Sequence, residues 1–76
     1  MPLSAAASAT LSALRAKANE YRIIRDGKEW GGVYLDNAIP QDKTTRRSLP
    51  GLLSALTKAG LYRQLDGYAW GEVLID

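Results

Sequence analysis

The sequence contains neither cysteine nor histidine. These two absences remove thiolate and imidazole metal sites, the most common general base and the most readily activated nucleophiles. The eight carboxylates are scattered along the chain, and no pair of them has the arrangement of an acid/base site or a calcium loop. We therefore expect a protein that is not an enzyme and that binds neither a metal nor a cofactor.

A long apolar run is also missing. No stretch reaches the roughly 20 apolar residues that a membrane-spanning helix needs, and the Ala-rich start, residues 1–9, lacks the basic region and Leu-rich core of a signal peptide. These absences predict a cytoplasmic protein without a membrane partner. The 76 residues are enough for one small domain, so we assign residues 1–76 to a single domain whose first nine residues are a candidate frayed tail.

Acidic residues are absent from one part of the chain. From Lys43 to Arg63 there are five basic residues and no acidic one, although the whole chain has a net charge of only +2. Positive charge concentrated in one segment is typical of a protein that contacts a polyanion on one face. The alternative is a solvated basic surface that has no partner.

The segment 44–63 organises the predicted fold. Ser48 is a candidate N-cap, Pro50 then falls in the first turn, and Gly60 is placed for a left-handed C-cap, so the pattern predicts a helix over residues 48–59. Apolar residues at helical spacing predict a buried stripe, which consists of Leu49, Leu52, Leu53, Leu56 and Ala59. The positions predicted to face away from the core include Gly51, Ser54 and Lys58.

The N-terminal half predicts a helix followed by β structure. Apolar residues at spacings of three and four predict a helix within residues 3–21, with Ser4 and Thr10 as alternative N-caps. The β-prone segments that follow flank Asp26-Gly27, which indicates either a hairpin or a loop that leads into one short strand. The polar segment 36–43 allows a short helix that opens near Pro40.

The C-terminal part predicts a second hairpin. Residues 61–65 and 68–75 are rich in aromatic and branched side chains, and they flank a turn at Asp66-Gly67. Alternation along the last strand places Val73 and Ile75 towards the core. The opposite face then carries Trp70, Glu72 and Leu74, whose apolar members need cover from the first helix, the earlier strand or a partner.

The segment from Ser48 to Ile75 contains LLSALTKAGLYR and DGYAWGEVLI. Its order of helix, Gly, strand, tight turn and strand, after an N-terminal helix and a short strand, resembles the recognition helix and wing of small bacterial and phage winged helix-turn-helix DNA-binding domains. The resemblance implies an α+β, winged-helix-like fold. It also implies that the protein binds double-stranded DNA as a transcriptional regulator or accessory factor of phage or mobile-element type.

In such domains the helix enters the major groove, residues at its start hold phosphates, and the wing touches the flanking backbone. The resemblance therefore implies phosphate contacts by Thr44, Thr45, Arg46, Arg47 and Ser48, groove contacts by Ser54 and Lys58, and positions near the wing for Arg63 and Tyr68. The exposed side of the helix lacks the side chains that read base edges bidentately, so binding is expected to be driven by the DNA backbone. The alternative function is a protein-interaction module that binds or inhibits a larger host protein.

The chain also contains an internal similarity. LSALRAKANEYR from Leu11 matches LSALTKAGLYR from Leu53, and DGKEWGGVYLD from Asp26 matches DGYAWGEVLID from Asp66, at an offset of about 40 residues with two single-residue gaps. One interpretation is a duplicated αββ unit, and the other is chance resemblance between Ala/Leu helices and Asp-Gly turns.

Two further questions stay open in the sequence. Trp30 and Trp70, each followed by Gly, are either stacking platforms for exposed bases or ordinary core residues in a chain without phenylalanine. The last strand is a candidate edge strand, through which a homodimer could form.

Overall fold

The computed structural model describes residues 3–65 and 70–75. The elements are, in chain order, α1 (Ala5–Ala16), β1 (Arg22–Arg25), β2 (Lys28–Tyr34), α2 (Leu35–Ala38), α3 (Lys43–Lys58), β3 (Tyr62–Gln64) and β4 (Trp70–Leu74). The strands pair antiparallel in one sheet with the order β1-β2-β4-β3. The predicted α+β class, with an N-terminal helix, strands, a second long helix and a C-terminal hairpin, is confirmed.

The first helix is shorter than the predicted segment 3–21. Ser4 is its N-cap and accepts a 3.1 Å hydrogen bond from the Ala7 N–H, whereas Thr10, the other candidate, lies inside the helix and donates its hydroxyl to the Ala6 carbonyl. Beyond the helix, Ala18 packs on Gly31 of β2 so closely that a Cβ on this glycine would lie 2.7 Å from the Ala18 carbonyl oxygen. The helix therefore ends where the chain must approach the sheet.

The first β-prone region forms a hairpin, so the alternative of a loop and a single strand is wrong. Asp26 has φ 54° and Gly27 has φ 76°. Positive φ at both central residues is the signature of a type I′ turn, whose twist matches that of the paired strands. The second predicted turn, at Asp66-Gly67, lies outside the described residues, although Leu65 and Trp70 on either side of it are joined by a 3.1 Å backbone hydrogen bond.

The long helix begins five residues before the predicted start at Ser48. Asp42 is the N-cap, and its carboxylate accepts a 2.9 Å hydrogen bond from the Thr45 N–H. Ser48 is therefore not a cap; it lies inside α3 and donates its hydroxyl to the Thr44 carbonyl at 3.3 Å. Pro50 likewise lies within the helix and not in its first turn, at the cost of one backbone hydrogen bond.

The end of α3 matches the prediction. Gly60 has φ 78°, its N–H donates to the Thr57 carbonyl at 3.0 Å, and the Leu61 N–H donates to the Leu56 carbonyl at 2.9 Å. This pair of bonds is a Schellman motif, which needs a residue in the left-handed region. The short helix α2, in contrast, ends before Pro40 instead of opening near it, because the proline holds Ile39 in an extended conformation.

Both long helices pack on the same face of the sheet. Leu14 of α1 and Leu56 of α3 have no exposed surface, and they share one core cluster with Val33, Tyr62 and Val73 of the sheet. The predicted stripe of α3 is only partly correct. Leu49, Leu52 and Leu53 are half-buried against this core, whereas Ala59 is exposed because it follows the last helical residue.

Within the described residues, no helix packs on the opposite face of the sheet. Trp70 there is half-buried, whereas Glu72 and Leu74 are buried and Trp30 of β2 lies beside Leu74 in the register. The earlier strand therefore provides part of the cover that this face was predicted to need. Strand β4 lies between β2 and β3, so the prediction that the last strand is an edge is wrong; the edge strands are β1 and β3.

Apart from the one-turn helix α2, the two halves of the chain have the same order of elements, helix followed by two strands. The central ladder is symmetric about the pair Gly32 and Glu72, which are equivalent positions in the internal sequence similarity. Leu14 and Leu56 are equivalent as well, and both are fully buried. The arrangement is that of the duplicated αββ alternative, while common ancestry of the halves stays a prediction.

We predict that Leu56→Ala lowers the free energy of unfolding by about 2 to 5 kcal/mol, because it leaves a cavity in the shared core. Chemical denaturation measures this loss. The half-buried Leu53→Ala serves as the control and should cost less. Equal losses for the two variants would contradict the assignment of Leu56 to the centre of the core.

Gly51→Ala should raise the free energy of unfolding by about 0.5 to 1 kcal/mol. Gly51 is exposed within α3, and a Cβ built on it meets no atom within 4 Å, so alanine adds helix propensity without a clash. Thermal unfolding monitored by circular dichroism measures the shift. A destabilised variant would show that this position is not the open helical site described here.

Candidate nucleic-acid interface

Most of the predicted DNA-binding residues lie on one element. Seven of them belong to α3, Arg63 lies on β3, and Tyr68 lies outside the described residues. Asp42 initiates the helix by capping it, and hydrogen bonding by Thr45 lowers the pKa of this carboxyl. The cap therefore places the four basic residues between Lys43 and Lys58 on a regular helix instead of a loop.

The helical repeat brings three of these positions to one side, together with Lys43. Lys43, Arg47, Ser54 and Lys58 fall within a narrow arc opposite Leu56, and all four are exposed. Sequence reasoning did not name Lys43 as a contact residue, although it marks the start of the acid-free segment. We call this surface the basic side of α3. The small residues in the middle of the helix lie between the basic residues at its two ends.

The other predicted residues of α3 lie elsewhere. Arg46 is exposed on the flank towards α2, and Thr44 and Ser48 lie on the opposite flank. Thr45 faces the core side, is half-buried and already donates its N–H to Asp42. The helix therefore does not bring these four side chains together with the basic side.

The cations of α3 have no acidic partners among the described residues. The ion pairs in that part of the chain are Arg22 with Glu29 at 3.2 Å and Arg25 with Glu72 at 3.0 Å. Neither pair involves α3, so its four basic side chains are not neutralised by a carboxylate. An uncompensated positive field in this position attracts anionic ligands.

A groove runs beside α3. It has a volume of about 850 Å³ and a largely apolar floor to which Leu35, Leu49 and Leu53 contribute. Arg46 and Lys58 also line it, together with Asp36 of α2. The groove adjoins the basic side of α3, so a ligand bound in the groove lies next to the basic side.

The helix-free face of the sheet contains a buried carboxylate. Glu72 is 1% exposed, and Arg25 donates to its two oxygens at 3.0 and 3.1 Å while the Tyr21 hydroxyl donates at 2.6 Å. The hydrogen bonds from Arg25 are the main cause that holds the pKa of Glu72 below its usual value, against the effect of burial. Burial and then the bond to Glu72 raise the pKa of Tyr21 to about 12.

Aromatic rings surround this carboxylate. Tyr21 meets Trp70 edge-on at a centroid distance of 5.6 Å, and Tyr34 lies 6.1 Å from Trp70 at an angle of 38°. Tyr34 is 44% exposed, whereas Trp30 is 8% exposed and its Nε1 is buried without a hydrogen-bond partner in the described part of the chain. The packing interpretation therefore fits Trp30, while Trp70 keeps part of its ring accessible.

No family model, no curated protein and no solved structure matches the chain. Within residues 3–65 and 70–75, no group of three or more acidic side chains could hold a metal ion. In the same residues, no helix has the length and apolar character to cross a bilayer.

We predict that Glu72→Gln destabilises the fold more at neutral pH than in acid. The folded-state pKa of Glu72 is lowered, so its contribution is present above the unfolded-state pKa of about 4.5 and disappears as pH falls through the folded value. Unfolding measured from pH 7 downwards should therefore show the parent and the variant converging. Glu29→Gln, which removes only an exposed pair worth at most about 1 kcal/mol, is the control; a parallel pH profile for both variants would contradict the role of Glu72.

Proposed function

We propose that the protein is a small, non-enzymatic DNA-binding protein of winged-helix type, which acts as a regulator or accessory factor. The observation that carries this proposal is the basic side of α3. Its three cations, Lys43, Arg47 and Lys58, have no carboxylate partner among the described residues. Positive charge that no part of the fold uses is available for phosphates.

The order of the elements supports the same proposal. An N-terminal helix, a strand, a helical pair and a C-terminal hairpin follow one another as the resemblance implies, with β1 as an additional edge strand. Helix α2 is a single turn, so α3 provides most of the surface that faces DNA.

The dimensions of α3 fit a duplex. Lys43 and Lys58 are separated by about 22 Å along the helix axis, at about 1.5 Å per residue, whereas the major groove of B-DNA is about 12 Å wide. The helix is therefore longer than the groove is wide, so its charged ends extend beyond the base edges towards the flanking phosphates. Gly51 and Ser54 between the ends allow close approach but provide little base readout, so sequence specificity is weak in this proposal.

The double variant Arg46→Ala, Arg47→Ala tests the phosphate contacts. Each phosphate contact contributes about 0.9 to the slope of log affinity against log salt concentration. Because Arg47 lies on the basic side of α3 and Arg46 on its flank, the slope for a labelled duplex should become less steep by roughly one. Melting should barely change, because neither arginine is held in an ion pair in the described structure. Fluorescence anisotropy across a salt series and thermal unfolding measure the two quantities.

Lys17→Ala, Lys28→Ala is the matched control, since it removes two exposed cations that lie outside α3 and that, like the two arginines, form no ion pair in the described structure. It should leave the salt slope close to that of the parent. An unchanged affinity and slope for the α3 variant, or no duplex binding by the parent at low salt, would contradict the proposal.

The groove favours a second candidate, the protein-interaction module. Its apolar floor, with Leu49 and Leu53, suits an apolar segment of a larger protein. The two functions differ in their response to salt, because apolar contacts persist where phosphate contacts are screened. Binding to a partner protein that is insensitive to salt and is lost in Leu53→Ala would favour this candidate.

A further inference from the structure

We propose that the helix-free face of the sheet is a second binding surface, which takes single-stranded nucleic acid by stacking bases on Tyr34 and Trp70. This surface lies on the opposite side of the sheet from α3. The proposal therefore does not depend on duplex binding by the basic side of α3.

The position of the two rings is the first argument. Tyr34 and Trp70 are direct cross-strand partners on the two central strands, β2 and β4. Tyr34 is 44% exposed, Trp70 is half-buried, and their centroids lie 6.1 Å apart. Adjacent accessible rings on the two central strands of an open sheet form a platform on which bases stack without regard to sequence.

The platform is held in place by the buried carboxylate. The Tyr21 hydroxyl is bonded to Glu72, and the Tyr21 ring covers Gly32, where any Cβ would overlap it. The same ring meets Trp70 edge-on. The orientation of Trp70 is thus fixed before a ligand arrives, which reduces the conformational entropy lost on binding.

Charge decides which partner this face fits. Arg25 on this face is bonded to the buried Glu72, which leaves Lys28 and Arg63 as its cations without an ion pair in the described structure. Arg63 is a diagonal neighbour of Trp70, at about 7 to 8 Å for such positions. A second copy of the chain would place like charges opposite one another, whereas a nucleic-acid backbone supplies the complementary charge.

The form of the nucleic acid follows from the stacking. In a duplex the base faces are covered by their neighbours, so flat aromatic rings cannot reach them. A single strand offers bases that can be splayed onto the rings and phosphates that can approach Arg63 and Lys28. The expected ligand is therefore a single strand with little sequence preference.

The test compares a fluorescein-labelled 15-nucleotide oligothymidylate with an abasic strand of equal length, by fluorescence anisotropy at low salt. The parent should bind the oligothymidylate more tightly, because both strands carry phosphates and only one carries bases. Tyr34→Ala should weaken oligothymidylate binding by roughly 5- to 150-fold, the range for loss of one stacked base, and should leave abasic binding unchanged. Tyr34→Phe should retain the parent affinity.

Two further measurements keep the result interpretable. Thermal unfolding of Tyr34→Ala and Tyr34→Phe shows whether an affinity change reflects the lost ring or a lost fold. The variant Arg46→Ala, Arg47→Ala should affect duplex binding more than oligothymidylate binding, which separates this proposal from the one for α3. Equal affinity of the parent for the two strands, no binding to either, or parent-like binding by folded Tyr34→Ala would overturn the proposal.

Discussion

The carboxylate of Glu72 is the constraint on which the helix-free face depends. A buried charge is costly unless it is paired and hydrogen-bonded, and Arg25 and Tyr21 supply these bonds from positions 47 and 51 residues earlier in the chain. The cluster joins the edge strand β1 and the segment after α1 to the central strand β4. It also fixes the Tyr21 ring over Gly32. Position 32 therefore requires glycine, because any Cβ there would overlap this ring.

The two halves of the chain are similar in architecture, but their surfaces differ. Equivalent strands meet at the centre of the sheet, and equivalent leucines, Leu14 and Leu56, meet in one core. The equivalent tryptophans differ, since Trp30 is buried and Trp70 is partly accessible. The helices differ in charge, because α3 carries four basic residues and α1 carries one. Shared architecture thus supports two surfaces with distinct chemistry.

Features set by neighbouring residues could be predicted from the sequence. The left-handed Gly60, the Asp26-Gly27 turn and the burial of Leu56 each follow from a local pattern. The start of α3 could not be chosen in this way, because Asp42 and Ser48 are both good caps and Pro50 favoured the wrong one. The strand order and the fate of Glu72 depend on distant partners, so β4 was wrongly placed at an edge and the carboxylate cluster was missed.

A two-layer domain of this size must leave one face of its sheet uncovered. Antiparallel sheets usually meet this requirement with polar side chains on the outer face, and Lys28 and Arg63 follow that rule here. The aromatic and aliphatic side chains of this face do not. Trp30 and Leu74 are buried, but Tyr34 is 44% exposed, and folding alone would be served equally well by a polar residue at its position. Accessible aromatic rings beside unneutralised cations are the combination that single-stranded nucleic acid requires. An exposed aromatic side chain at a position where a polar one is usual, and not the fold, thus distinguishes this face as a binding surface.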